Sequence, residues 1–83
     1  MAKTNEFIVI GFKRVDYTKK DGNGVHGCEV YLSPVTADDG VVGQQAESVY
    51  LSDGYASYIP HIDDPVRKIY NRFGRVEDLI VIS

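Results

Sequence analysis

The chain has 83 residues, a length that supports one domain and excludes two. Hydrophobic residues make up 43% of it, which indicates a folded protein and excludes a disordered tail. The single cysteine excludes an intramolecular disulfide, no apolar run reaches transmembrane length, and the first residues lack the apolar stretch of a signal peptide. These features predict a soluble cytoplasmic domain.

The first part of the chain predicts a long strand that leads into a tight turn. Residues 1–5 are polar, and we expect them to be disordered. Residues 6–18 are rich in β-branched and aromatic side chains and form the first predicted strand, with Gly11 as its kink or bulge. Residues 19–24 contain Asp-Gly and Asn-Gly, the strongest short signal for a β-hairpin.

Two further strands follow in the middle of the chain. Residues 25–32 form the second predicted strand, which Pro34 ends. Residues 33–45 are Gly-rich and acidic, and we expect a mobile loop there. Residues 46–52 form the third predicted strand, broken by Asp53-Gly54. The apolar faces of these two strands are formed by Cys28, Val30, Leu32, Val49 and Leu51.

The last part of the chain predicts a second hairpin. Residues 55–64 contain Pro60 and have no clean period, which predicts a short helix or an irregular linker. Residues 66–71 and 75–82 are predicted strands on either side of a Phe73-Gly74 tip. Five short strands separated by turns predict one all-β domain over residues 1–83, a five-stranded OB-like barrel, with an SH3-like barrel as the alternative. Closure would avoid bare strand edges.

Positive charge is confined to two short stretches, although the whole chain carries a net charge of −3. Residues 13–20 sum to +3 and residues 67–75 to +4, whereas residues 21–66 contain no Lys or Arg and sum to −8. Such a local field steers partners more than net charge does. The first and fourth strands of a five-stranded barrel are commonly neighbours, so the two stretches could form one basic face. The alternative is that these cations only keep hairpin edges from pairing with other molecules.

Aromatic residues are interleaved with the cations of both stretches. This combination suits single-stranded nucleic acid, because cations follow the phosphates while rings stack on unpaired bases, at about 1–3 kcal/mol per base. Phe73 is the most suggestive ring, since a Phe beside Gly at a hairpin tip has little core to contact; the alternatives are a tip that folds down or a contact with a dimer partner. The predicted nucleic-acid-binding residues are Lys13, Arg14, Tyr17, Lys19, Lys20, Arg67, Lys68, Tyr70, Arg72, Phe73 and Arg75.

No group of residues predicts catalysis, a metal ion, a cofactor or a small-molecule substrate. His26 and Cys28 lack the orienting third group of a nucleophilic pair, so Cys28 is interpreted as structural. His61 has no further metal ligand at a defined spacing beyond the adjacent acids. Asp38-Asp39-Gly40 lacks the downstream Glu of a calcium loop. We therefore expect a protein that is not an enzyme.

The order of elements resembles that of a known group of proteins. The length, the hairpin Thr18-Lys19-Lys20-Asp21-Gly22, the Tyr-bearing second strand and the closing strand–Phe-Gly–strand unit resemble the small single-stranded DNA-binding proteins of phages and mobile elements, above all the helix-destabilising proteins of filamentous phages. The resemblance implies an OB-type barrel and a homodimer that coats single strands cooperatively, with Arg, Lys, Tyr and Phe on one face and a protruding hairpin. The chain departs from this group in its acidic net charge and its longer acidic loop at 33–45.

Two functional hypotheses follow from these patterns. The first is a non-enzymatic protein that binds single-stranded DNA or RNA through the two basic stretches. The second is a protein–protein interaction or assembly module of a phage or mobile element, which uses the acidic middle segment and whose basic hairpins point in different directions. The placement of residues 13–20 and 67–75 in the folded chain separates the two.

Overall fold

The computed structural model describes residues 5–82 and contains five β-strands and no helix in that range. The strands are β1 (Phe7–Thr18), β2 (Gly24–Pro34), β3 (Glu47–Ser52), β4 (Pro65–Tyr70) and β5 (Val76–Val81). They form one antiparallel sheet in the order β3-β2-β1-β4-β5. The prediction of an all-β chain with two hairpins is confirmed. Of the five residues expected to be disordered, residues 1–4 lie outside the described range.

Hydrogen bonds do not close the sheet within the described residues. β3 and β5 are its edge strands, and their Cα atoms come within 8 Å of each other without forming a ladder. β1 joins the two halves, because it pairs with β2 along its whole length but with β4 only at Phe7 and Ile8. The expectation of a barrel is therefore met only as far as a five-stranded antiparallel sheet.

A β-bulge lies in the first third of β1. The register against β2 shifts between Val9 and Gly11, which leaves Ile10 as the extra residue. The sequence placed a kink or bulge at this point. Tyr31 packs on the glycine, since a Cβ atom at Gly11 would lie 3.3 Å from Tyr31 Cδ2. The bulge bends the strand, so its first residues face the core while the rest extends outward with β2.

The core lies at one end of the elongated molecule. The buried hydrophobic side chains of the described residues are Phe7, Val9, Val30, Leu32, Leu51, Val66 and Leu79. Cys28 and Val49 are half-buried and pack against them, as the predicted alternation of β2 and β3 requires. None of these buried hydrophobic residues lies between residues 10 and 29. The far part of the β1–β2 hairpin thus projects from the core, and the molecule measures 44 × 26 × 23 Å.

The segment between β3 and β4 is irregular, and a single carboxylate fastens it to β5. Asp78 accepts hydrogen bonds from the Ser57 N–H at 3.0 Å, the Ser57 hydroxyl at 2.8 Å and the Tyr58 N–H at 3.1 Å. The N–H of Tyr55 donates to the Ser52 carbonyl at 3.1 Å, which turns the chain as it leaves β3. Of the two predicted alternatives for residues 55–64, the irregular linker is correct. The turn at Ser52 and the hydrogen bonds to Asp78 together keep Tyr55 close to the end of β3.

The connection between β2 and β3 is organised by Gln45. Its side chain accepts a hydrogen bond from the Asp38 N–H at 2.8 Å and donates to the Asp38 carboxylate at 3.0 Å. Its backbone carbonyl accepts a hydrogen bond from the Ser33 hydroxyl at 2.8 Å. The backbone between β2 and β3 is irregular, as expected for a loop. The mobility of residues 33–45 stays a prediction.

Candidate nucleic-acid interface

The tip of the β4–β5 hairpin presents an aromatic ring to solvent. Asn71 shapes the turn, because its side-chain oxygen accepts hydrogen bonds from the N–H groups of Phe73 at 2.9 Å and Arg75 at 3.1 Å. Gly74 has a φ of 80°, in the left-handed region that favours glycine. Phe73 is consequently 74% exposed, and the Arg72 guanidinium lies 4.9 Å from its ring centroid. The tip does not fold down onto the core.

A groove of about 790 Å³ lies beside this tip. Three residues at and after the end of β3 contribute to it, namely Tyr50, Ser52 and Tyr55. The β4–β5 hairpin supplies the remaining lining, namely Tyr70, Asn71, Arg72, Phe73, Arg75, Val76 and Glu77. The four aromatic rings of the groove are all exposed, and Tyr55 is 76% exposed. Exposed rings next to guanidinium groups are the combination on which unpaired bases stack while phosphates are neutralised.

The outer face of β3, β2 and β1 extends the groove toward the other hairpin. Tyr50 is paired with Glu29, and Glu29 is paired with Lys13, so the three residues form one row across the sheet. Neighbouring strands are about 4.8 Å apart, which separates the two ends of the row by about 10 Å. Tyr50 leans over Gly27, where an added Cβ atom would overlap its phenol ring. The row therefore connects the groove to the base of the β1–β2 hairpin.

The two basic stretches do not pair with each other along the sheet, although β1 and β4 are neighbours as the sequence suggested. β1 and β4 are neighbours but pair only at Phe7–Val66 and Ile8–Pro65. Because these strands are antiparallel, residues 67–75 continue past the start of β1 while residues 13–20 continue in the opposite direction. No backbone pairing joins the two stretches within the described residues. What joins them is the row across β3, β2 and β1.

Ion pairs hold four of the predicted phosphate-binding cations. Lys13 pairs with Glu29 at 3.8 Å, Arg67 with Glu6 at 3.2 Å and Lys68 with Glu47 at 2.5 Å. The side chain of Lys68 is only 12% exposed and its ammonium lies 4.4 Å from the centroid of the Phe7 ring. Lys68 thus closes one end of the core and is placed poorly for a phosphate. The fourth cation is Arg14.

Arg14 is the centre of a charge cluster that braces the projecting hairpin. Its Nη1 donates to Asp53 at 2.9 Å, its Nη2 contacts the other oxygen of that carboxylate, and its Nε donates to Asp16 at 3.0 Å. His26 Nδ1 lies 2.8 Å from Asp16. The hydrogen bonds from Arg14 lower the pKa of both carboxyl groups, and for Asp16 the hydrogen bond to His26 adds to the shift. The cluster ties β1 and β2 to the residue that follows β3.

The remaining four cations form no ion pair with any described residue. Lys19 and Lys20 lie at the tip of the β1–β2 hairpin, close to the exposed ring of Tyr17. Arg72 and Arg75 line the groove at the other hairpin. Of the residues predicted from the sequence, the groove brings together Tyr70, Arg72, Phe73 and Arg75. It does not include Lys13, Arg14, Tyr17, Lys19, Lys20, Arg67 or Lys68.

Six lining residues of the groove were absent from the predicted set, namely Tyr50, Ser52, Tyr55, Asn71, Val76 and Glu77. Tyr50 had a usable signal, because it alternates with the apolar residues of β3 and therefore faces outward. Tyr55 follows a turn that only the anchoring of the linker places beside β3, so no local pattern marks it. No sequence signal marked Glu77, because the site was predicted from cations and aromatic rings and Glu77 is an acid.

The single cysteine lies outside the groove. Cys28 is half-buried, and burial raises the pKa of its thiol, which disfavours the reactive thiolate. Residues 5–82 contain no cluster of three or more His, Cys, Asp or Glu side chains that would hold a metal ion. Within the same range, no helix has the length and apolar character needed to cross a membrane.

Comparison of the chain with known protein families, with curated proteins and with solved structures finds no match.

Proposed function

We propose that this protein binds single-stranded nucleic acid, without catalysis, through the groove beside the β4–β5 hairpin. The observation that carries the proposal is the convergence in one open groove of four exposed rings with two arginines that form no ion pair among the described residues. Phe73 and the tyrosines of the groove stack on bases, and Arg72 and Arg75 contact phosphates. A groove of this composition suits a flexible strand whose bases are unpaired.

The strand then continues across the outer face toward the β1–β2 hairpin. Lys19 and Lys20 at that tip supply the second phosphate contact, and Tyr17 supplies a further ring near it. The paired cations Lys13 and Arg67 contribute less, because their carboxylate partners offset their charge. Arg14 and Lys68 serve the fold, since each is held by partners that fix the hairpin or the core edge. The proposed set of binding residues is therefore smaller than the set predicted from the sequence.

The proposed fold behind this function is an OB-type barrel whose seam lies between β3 and β5. Supporting this assignment, β3 and β5 are the two edge strands and approach within 8 Å. OB-folds bind oligonucleotides on the face of their second and third strands and with the loops between strands 1 and 2 and strands 4 and 5. The groove, the outer row and the two hairpin tips correspond to those positions. The homodimer, the cytoplasmic location and the phage or mobile-element origin stay predictions.

A fluorescence titration with a labelled oligothymidine at two salt concentrations tests the proposal. We expect binding at low salt that weakens as salt rises, because each phosphate contact releases counterions, with a slope of about −0.7 per contact for a single strand. The double variant Arg72→Ala/Arg75→Ala should flatten that slope by about 1.4. Arg67→Ala is the matched control, since it removes an exposed arginine that is paired and outside the groove. Absence of binding at low salt, or binding insensitive to salt, would contradict the proposal.

A second candidate is the assembly module that uses the acidic middle segment. Two observations favour it: the basic stretches run in opposite directions, and the acidic segment exposes large apolar side chains at Val42, Ile59 and Ile62. Large apolar side chains exposed to solvent mark protein-binding surfaces where they form a contiguous patch. The double variant Ile59→Ser/Ile62→Ser would then abolish association with a partner or with a second copy, as measured by analytical ultracentrifugation. It would leave oligonucleotide binding unchanged if the first proposal holds.

A further inference from the structure

Glu77 occupies a special position in β5 as the extra residue of a β-bulge. The register against β4 moves from Ile69–Asp78 to Tyr70–Val76, so Glu77 has no partner across the ladder. Consecutive residues of a regular strand point to opposite faces, yet Val76 and Glu77 both line the groove. Bulges re-aim side chains in this way and occur often beside binding sites. The bulge therefore accounts for a carboxylate on the groove side.

This carboxylate has no structural task within the described residues. It is the only acid among the described residues that line the groove, and it is half-buried. It forms no hydrogen bond or ion pair with any described residue, although Arg72 and Arg75 line the same groove. Its neighbour Asp78, in contrast, accepts four hydrogen bonds. Three come from the linker at Ser57 and Tyr58, and the fourth comes from the N–H of Leu79. Since a carboxylate repels phosphate, contact with the nucleic-acid backbone does not explain Glu77 either.

We propose that Glu77 selects guanine in the bound strand, an inference that rests on the proposed function of the groove. An ionised carboxylate is an acceptor with two oxygens, and it matches an edge that presents two adjacent donors. The Watson–Crick edge of guanine has such donors, N1–H and N2–H, and in a single strand this edge is free. Adenine and cytosine offer one amino group beside an acceptor. Thymine offers one N–H between two carbonyl oxygens, which the carboxylate repels.

The test compares the affinities of two labelled oligonucleotides at one salt concentration. The first is an oligothymidine of about 12 nucleotides, within the span that one such fold covers, and the second carries a single central guanine. A bidentate contact to a base should make the guanine-bearing strand bind about 10-fold tighter. Replacing that guanine by hypoxanthine, which keeps N1–H and lacks the N2 amino group, should give an intermediate affinity. A single guanine avoids association between guanine tracts.

Variants of Glu77 assign the preference to this carboxylate. Glu77→Gln and Glu77→Ala should both reduce the affinity ratio between the two strands to less than about twofold. Both variants also remove a negative charge and so strengthen binding to every strand, but that gain cancels in the ratio. Asp39→Asn is the matched control, because it removes the same charge from an exposed residue outside the groove and should keep the ratio near 10-fold.

The outcomes separate this inference from the proposed function. If the oligothymidine itself does not bind at low salt, the proposed function fails and guanine selection fails with it. If the oligothymidine binds but the central guanine changes the affinity less than twofold, guanine selection alone is overturned. Retention of the full ratio in Glu77→Gln and Glu77→Ala would overturn the assignment to Glu77.

Discussion

Replacing Phe73 with alanine should weaken oligonucleotide binding strongly while lowering the free energy of unfolding only slightly. A fully buried Phe costs about 3–5 kcal/mol when it is replaced by Ala, but Phe73 is 74% exposed. About a quarter of that cost remains, so Phe73→Ala should lower the free energy of unfolding by about 1 kcal/mol or less. A ring that stacks on a base contributes about 1–3 kcal/mol to binding. The same substitution should therefore weaken binding of an oligothymidine about 5- to 150-fold.

Two assays carried out on the same variant measure these effects. Urea denaturation gives the change in the free energy of unfolding, and fluorescence anisotropy gives the change in Kd. Phe12→Ala is the matched control, because it removes an exposed ring of the same kind outside the groove and should leave binding within about twofold of the parent protein. Binding of Phe73→Ala within twofold of the parent protein would contradict stacking of this ring on a base. Destabilisation of the variant as strong as that of a core substitution would also contradict it, since the ring would then belong to the fold.

Three further outcomes test the fold that positions the groove. Gly27→Ala should destabilise the protein by about 1–3 kcal/mol in urea denaturation, because its Cβ would overlap the Tyr50 ring and the Leu51 carbonyl. Gly54→Ala should be nearly neutral, because its Cβ would meet only the Ser52 hydroxyl, at an ordinary contact distance of 3.9 Å. Burial opposes ionisation of Asp78, but its four hydrogen bonds prevail and lower the pKa of this carboxyl group. Its contribution to the stability of the fold is therefore present above the unfolded pKa of about 3.9 and is lost as pH falls through the lower folded pKa. Asp78→Asn should accordingly be less stable at pH 7 and should lose less stability between pH 5 and pH 2 than the parent protein, by thermal unfolding followed by circular dichroism. Leu32→Ala should cost about 2–5 kcal/mol, since Leu32 is fully buried, and a loss below 1 kcal/mol would contradict the described core.

The strands could be predicted from the sequence because their signals are local. Alternation of apolar and polar residues placed Val30 and Leu32 on the buried side of β2, and the Asp-Gly and Asn-Gly pairs marked the first hairpin. The bulge of β1 was also marked, by a glycine within a β-branched run. Whether the sheet closes has no such local signal, because it depends on how closely β3 and β5 approach each other across the molecule. The irregular segment after β3 is likewise held by Asp78, a hydrogen-bond acceptor that is 20 residues away from Tyr58.

The candidate site divides in the same way. Residues 70–75 were predicted together because a tight turn keeps them close whatever the rest of the chain does. Lys68 and Arg14 looked equivalent to Arg72 in the sequence, but their carboxylate partners are distant along the chain, at Glu47 and Asp53. Pairing of this kind is a property of the tertiary structure. The orientation of Glu77 depends on a bulge whose presence no local residue pattern marks.

Binding of single-stranded nucleic acid in the groove is tested most directly by mapping the residues whose environment changes when a strand binds. Amide chemical shifts of the isotopically labelled protein would be followed by NMR during addition of an oligothymidine at low salt. We expect the largest changes at residues 50–55 and 70–77, with smaller changes at residues 17–24 on the other hairpin. Absence of shifts, or shifts confined to residues 35–46 and 57–64 in the acidic segment, would contradict binding of single-stranded nucleic acid in the groove.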